Sequence, residues 1–123
     1  MLALTALVLC LTPTVVDGDT FKCANLSTSV RMSGLDTPEM PGHCRVGRVC
    51  VPGDPFAARD NLKALLASGP VKIRVLKKDL YQRNVAVAYV GPLDLSCAQI
   101  AGKFGIYKPT WDTRHLVKKD CKL

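Results

Sequence analysis

Between positions 17 and 39 the chain carries four acids, Asp17, Asp19, Asp36 and Glu39, against two bases, Lys22 and Arg31. Carboxylates gathered against their mutual repulsion need a compensating partner, and a hard divalent cation, which takes all-oxygen shells, is the usual one. The plainer reading is two separate turns that never meet. In VVDGDTF, Asp17 and Gly18 read as a two-residue hairpin turn in which Gly supplies positive φ. That leaves Asp19 at a strand position, where Asp is depleted. In DTPE, Asp36 or Thr37 reads as a helix cap, with Pro38 in the first turn and Glu39 favoured by the helix dipole. Whether Asp19 is turn chemistry or half of a site depends on the elements that carry it.

Those elements belong to a small, basic chain. Its 123 residues fit one domain, a size that buries enough apolar surface to fold alone. Lys and Arg number 17 against 10 acids, a formal charge of +7. That balance favours a polyanionic partner, or simply a solvated surface. Six cysteines point to an oxidising compartment. Cys44 and Cys50 bracket a turn-rich loop and read as a local staple, and Cys97 with Cys121 would tie the tail to the body. Zinc is the weaker reading, because no C-x-x-C pair occurs beside His43 and Cys44. His43 and His115 have no partner pattern, and Trp111 reads as packing.

Residues 1–14 read either as a secretion-signal remnant or as a first-strand segment. The apolar start is too short for a membrane span. Removal of a signal would take Cys10 away and leave Cys23 a free thiol. The domain proper then covers 15–123. TVVDGDTFKCA predicts two strands and STSVRMSGLD a third, with Val30 and Met32 on one face. Asp54-Pro55 opens a helix that keeps Phe56, Leu62, Leu65 and Leu66 on one side and ends near Ser68-Gly69. VKIRVLKK and NVAVAYV are strands. DLSCAQIAG is a short helix capped by Asp94, and the tail after Lys108-Pro109 reads as basic and irregular. This order predicts a mainly β domain, a small closed or nearly closed barrel with flanking helices.

VDGDT at 16–20, VRMSGLDTPEM at 30–40, DLYQR at 79–83 and YKP at 107–109 stand in one order and spacing. In that arrangement the chain resembles the staphylococcal nuclease (thermonuclease) family, of a bacterial secreted or periplasmic type, from about Val15 to Pro109. The resemblance implies an OB-fold, a five-stranded Greek-key barrel with two or three short helices. It implies calcium as cofactor, held by Asp19, Asp36 and the backbone carbonyl of Thr37. It implies Arg31 and Arg83 on the phosphate, Glu39 as general base or water-orienting group, and Tyr81 and Tyr107 at the nucleotide pocket. The activity implied is a calcium-dependent endonuclease acting on DNA and RNA with little sequence preference, favouring single strands and leaving a 3′-phosphate and a 5′-hydroxyl. It also implies a monomer, with no membrane partner.

The chemistry is consistent with those types. A phosphodiester is shielded by its charge, and a metal ion neutralises an oxygen and polarises phosphorus. Arginines are planar bidentate donors that bind more strongly as charge builds on the equatorial oxygens. Arg31 lies an odd number of residues before Asp36, so a straight strand would point them to opposite faces, and a bend is expected near Ser33-Gly34. The chain departs from the family pattern at Gln82, where Gly is usual, at Leu80, where a base is usual, and at Gly105, which falls on a pocket tyrosine. Loss of Arg31, Arg83 or Glu39 is expected to spare the fold. Two other classes fit the same residues: a non-catalytic OB-fold that binds nucleic acid or protein, and a disulfide-rich structural domain with a structural calcium site.

Overall fold

The computed structural model describes residues 6–123, so the first five residues of the apolar start lie outside the described part. In chain order the elements are β1 (Val8–Cys10), β2 (Thr14–Asp17), β3 (Thr20–Lys22), β4 (Val30–Met32), β5 (Leu35–Asp36), α1 (Pro55–Leu66), β6 (Val71–Lys78), β7 (Asn84–Val90), β8 (Leu93–Asp94), α2 (Leu95–Ala101), β9 (Ile106–Tyr107) and α3 (Leu116–Cys121). Two 3-10 turns, Pro109–Trp111 and Thr113–His115, precede α3.

The main sheet runs β1-β6-β7-β4-β3-β2, with β8 added to β7 and with β4 parallel to β7. Its two ends are drawn together. The Cys10–Cys23 disulfide joins the end of β1 to the residue after β3, and the Ala24 amide donates to the Leu11 carbonyl at 2.7 Å. The sheet is therefore a curled, barrel-like layer. Its concave side is filled by Phe21, Val30, Met32, Leu62, Ile73, Ala86, Ala88 and Leu95. Cys23 is thus bonded to Cys10 here, not free. Cys44–Cys50 and Cys97–Cys121 are the other two bonds.

Helix α1 begins where expected. The Asp54 carboxylate accepts from the Phe56 and Ala57 amides, and Pro55 sits in the first turn, where no amide partner is needed. The buried side of α1 is Ala58, Leu62 and Leu66, while Phe56 is 46% exposed. The small Ala58 brings the helix close to the sheet, and a phenyl ring there would hold it off. No helix forms at DTPE; Thr37 to Met40 is irregular. The tail is more ordered than its composition suggests. The Asp112 carboxylate accepts from the Val117 and Lys118 amides at 3.0 and 2.9 Å, capping α3 from outside the helix.

Two neighbouring carboxyl groups, Asp94 and Asp120, join α3 to the sheet. Asp94 caps α2 through one oxygen, accepting from the Ser96 and Cys97 amides, while its other oxygen is buried with no ordinary donor. Asp120 of α3 lies within hydrogen-bonding reach of it and also accepts from the Tyr89 hydroxyl at 2.6 Å. Two carboxyl groups so placed bond only if one keeps its proton. Burial, and then Asp120, push the Asp94 carboxyl from the usual 3.8 up to about 7. The folded chain thus holds a proton that the unfolded chain releases, and the stability it contributes is fully present below the unfolded value and is lost as pH rises through about 7. Asp94→Asn supplies a permanent donor toward Asp120 and keeps the cap oxygen. Thermal melts between pH 5 and 8 are expected to show a shallower fall in Tm for Asp94→Asn than for the wild type. Equal slopes would mean that this pair shares no proton.

Candidate active site

Asp19 is a turn residue, not a strand residue. Asp17 pairs with Thr20 across the hairpin, so Gly18 and Asp19 are the two loop residues, and the register shifts between Val15 and Asp17. Gly18 is needed for room; its φ is not in the positive region. A Cβ there would lie 2.7 Å from the Ala58 Cβ and 2.8 Å from the Thr37 hydroxyl. Helix α1 and Thr37 therefore press directly on the turn. Gln99 of α2 completes the clamp: its side-chain nitrogen donates to the Gly18 carbonyl at 2.8 Å and to the Ala58 carbonyl at 2.9 Å, and its oxygen accepts from Asn61.

Held this way, Asp19 is 6% exposed. Its Oδ2 accepts from the Thr37 amide and hydroxyl at 3.3 and 3.0 Å, and its Oδ1 accepts from the Thr20 hydroxyl at 3.0 Å. Arg31 on β4 closes an ion pair to Oδ2 at 3.3 Å. Burial alone would raise the Asp19 carboxyl, but the Arg31 guanidinium and these hydrogen bonds outweigh it and hold the group below the usual range. Asp17 is the counterweight. Burial and the Asp19 charge push it up to about 7.

The bend expected at Ser33-Gly34 is a turn with Gly34 at φ +71°. Beyond it, Leu35–Asp36 leaves the main sheet and pairs with Ile106–Tyr107, which turns Asp36 toward Asp19. Gly105 is required at that junction, since a Cβ would meet the Asp36 carbonyl at 2.7 Å. A tyrosine cannot stand there. Asp36 is buried, and burial raises its carboxyl, with the Asp19 charge adding to the rise and Arg48 opposing it. Arg48, from the Cys44–Cys50 loop, reaches both Asp36, at 3.3 Å, and Glu39, at 2.9 Å.

Beside these carboxylates opens a cleft of about 750 Å³ whose walls include Asp19, Arg31, Glu39, Arg48, Arg83 and Trp111. Tyr81 lines it too, with its ring between the guanidinium groups of Arg45, 4.5 Å away, and Arg83, 5.2 Å away. The expected residues Arg31, Glu39, Arg83, Asp19 and Tyr81 therefore share one cleft, with Asp36 and Thr37 packed behind Arg48 and Asp19. Tyr107 is outside the lining; its hydroxyl donates to Asp112 at 2.7 Å.

Several residues were not legible beforehand. Asp79 holds Arg83 with a 2.7 Å ion pair and accepts from the Tyr81 and Arg83 amides. This turn keeps Gln82 at φ +64°, so the left-handed conformation that Gly would supply survives without Gly. The i, i+4 spacing of Asp79 and Arg83 was the available signal. Trp111 is not core packing. It is 40% exposed, and Arg31, Arg48 and Lys108 all approach its ring within 5.5 Å. Nothing in sequence marked Gln99.

The side-chain donors grouped here are all oxygen. The grouped side chains are carboxylates, burial and mutual repulsion raise Asp17 and Asp36, and a guanidinium bridges Asp36 to Glu39 as a cation would. Among the described residues no three His, Cys, Asp or Glu side chains form a preassembled metal cage. Arg31 and Arg48 hold the acids instead. No known family model matches the chain, and no curated protein matches it.

Because α1 and Thr37 already touch the turn, Gly18→Ala overpacks it. A loss of about 1–3 kcal/mol in urea unfolding is expected. A loss under about 0.5 kcal/mol would show that the turn has room to relax.

Proposed function

We propose that the chain is a calcium-dependent endonuclease of OB-fold type, cutting phosphodiesters of single-stranded DNA and RNA in an oxidising compartment. The observation that carries the proposal is the convergence of Arg31, Arg83 and Glu39 on one cleft beside the Asp19 and Asp36 carboxylates. The formal charge of +7 supports a polyanionic substrate. Three disulfides support the compartment. No described helix is long and apolar enough to cross a membrane.

In this reading Asp19, Asp36 and the Thr37 carbonyl would hold calcium, which when bound neutralises a phosphate oxygen and polarises phosphorus. Arg31 and Arg83 donate to the equatorial oxygens, and their hydrogen bonds strengthen as negative charge accumulates there. Asp79 keeps Arg83 extended along the cleft wall. Glu39 accepts the proton of the water that attacks phosphorus, and the bond to the 5′-oxygen breaks on the opposite side as that oxygen takes a proton from solvent. Tyr81 holds the guanidinium groups of Arg45 and Arg83 against its ring on the cleft wall, where the strand would pass.

A second reading is a nucleic-acid-binding module without turnover. It is favoured by Arg48, which neutralises both Asp36 and Glu39. The two readings differ in one assay. Purified protein and single-stranded DNA are incubated with calcium or with EDTA; cleavage that EDTA abolishes supports the enzyme, and retention without cleavage supports the module.

The arginines are not equivalent as probes. Arg31→Ala leaves the buried Asp19 charge without its ion pair, at about 3–5 kcal/mol, so a loss of activity in this variant mixes with a loss of stability. Arg83 is partly exposed, and its loss uncovers no buried charge. Arg83→Ala is expected to lower kcat by about a hundred- to a thousandfold with Tm within a few degrees of wild type. Full activity of Arg83→Ala on denatured DNA with calcium would remove Arg83 from the mechanism.

A further inference from the structure

The Cys44–Cys50 loop is exposed apart from the side chain it sends inward. Val46 and Val49 are almost fully exposed, whereas Arg48 lies over the cleft with its guanidinium at 2.9 Å from Glu39, 3.3 Å from Asp36 and 5.5 Å from the Trp111 ring. The loop is short and closed by the disulfide, and the Arg48 amide donates to the Arg45 carbonyl within it. The backbone that carries Arg48 is therefore held beside the cleft, so its side chain, once displaced, stays close to it. Arg45 projects from the same loop to Tyr81, and so stands on the cleft without touching either acid.

We propose that Arg48 is a tethered counter-cation that occupies Asp36 and Glu39 until a divalent cation replaces it, and that its freed guanidinium then pairs with a phosphate of the substrate strand. This inference rests on the calcium reading above. A guanidinium and a divalent ion on the same Asp36 carboxylate repel each other, and the singly charged guanidinium, with the weaker attraction to the acid, is the one that yields. Once displaced, Arg48 faces Arg31 and Lys108 around Trp111, a crowd of three cations that an anion relieves. Metal and phosphate binding are thereby coupled, each favouring the other. Arg48 acts as a positioning residue, and it also frees Glu39 to accept a proton only when metal is present.

Calcium titrations read by calorimetry and by the fluorescence of Trp111, the single tryptophan, test this. Arg48→Met keeps the length of the side chain and removes the charge; Arg45→Met removes the same charge from the same loop. Calcium is expected to bind Arg48→Met about tenfold or more tighter than wild type, and Arg45→Met within about twofold of it. Equal tightening in both variants would reduce Arg48 to general electrostatics and overturn the proposal while leaving the calcium site standing. Absence of calcium binding by wild type and both variants at millimolar concentration would overturn the calcium reading and this inference with it. A phosphorothioate single strand, which resists cleavage, supplies the other half. It is expected to tighten calcium binding more in wild type than in Arg48→Met, and an equal gain in both would remove the phosphate contact.

Discussion

A carboxylate taken out of water is stable only where its charge is met at every oxygen, and Asp19 is such a group. Arg31, Thr20 and the Thr37 amide and hydroxyl meet it, and each sits on a different piece of chain. β4 must run beside β3 to bring Arg31 across from Thr20, and their register pairs those two residues directly. Thr37 must fold back over the hairpin, which requires the turn at Ser33-Gly34. The turn must be small enough to admit Thr37 and α1, which requires Gly18. The charge on one side chain thus fixes the relative placement of β3, β4, the segment after β5 and the start of α1.

The surrounding polar bonds extend that frame outward. Gln99 ties the Asp19 turn to α1 and α2 at a wholly buried point. Ser96 donates to the Ser33 carbonyl, and the Ser33 hydroxyl donates to the carbonyl of Trp111, so the second turn is fixed to α2 and to the segment that carries Trp111. Asp112 then anchors α3 and Tyr107 together. Buried polar groups of this kind add little net stability apiece, but leaving one unpaired is costly, so they specify one arrangement over its near alternatives. That is what a site built from turns requires, since turns have no ladder of their own to keep them still.

How much of this could be read from sequence follows the range of the interactions. Asp54 before Pro55 and the alternation of Val71, Ile73 and Val75 are local signals, and α1 and β6 form where those signals lie. The curled sheet and its flanking helices agree with the mainly β barrel class. DTPE carries an equally local helix signal, yet no helix forms, because Thr37 is drawn to Asp19 by a bond that crosses 18 positions. Phe56 misleads for a related reason: periodicity ranks apolar residues by type, whereas the space against the sheet admits only Ala58. The acids and arginines of the site were visible as types and spacing. Arg48 was visible only as one of two loop arginines beside Arg45, because what distinguishes the two is the direction in which a closed loop aims them.

That direction matters because the protein is basic overall and acidic at one point. Arg31, Arg45, Arg48 and Arg83 line the cleft, and Arg31 and Arg48 are each already paired with an acid. The cleft is therefore close to neutral inside a positive surface. Arg31 cannot leave Asp19 without leaving a buried charge unpaired. Arg48, a third exposed and on a loop, can leave. The division of labour between the two arginines follows from burial: the deeper one holds the site in shape, and the shallower one is free to exchange partners.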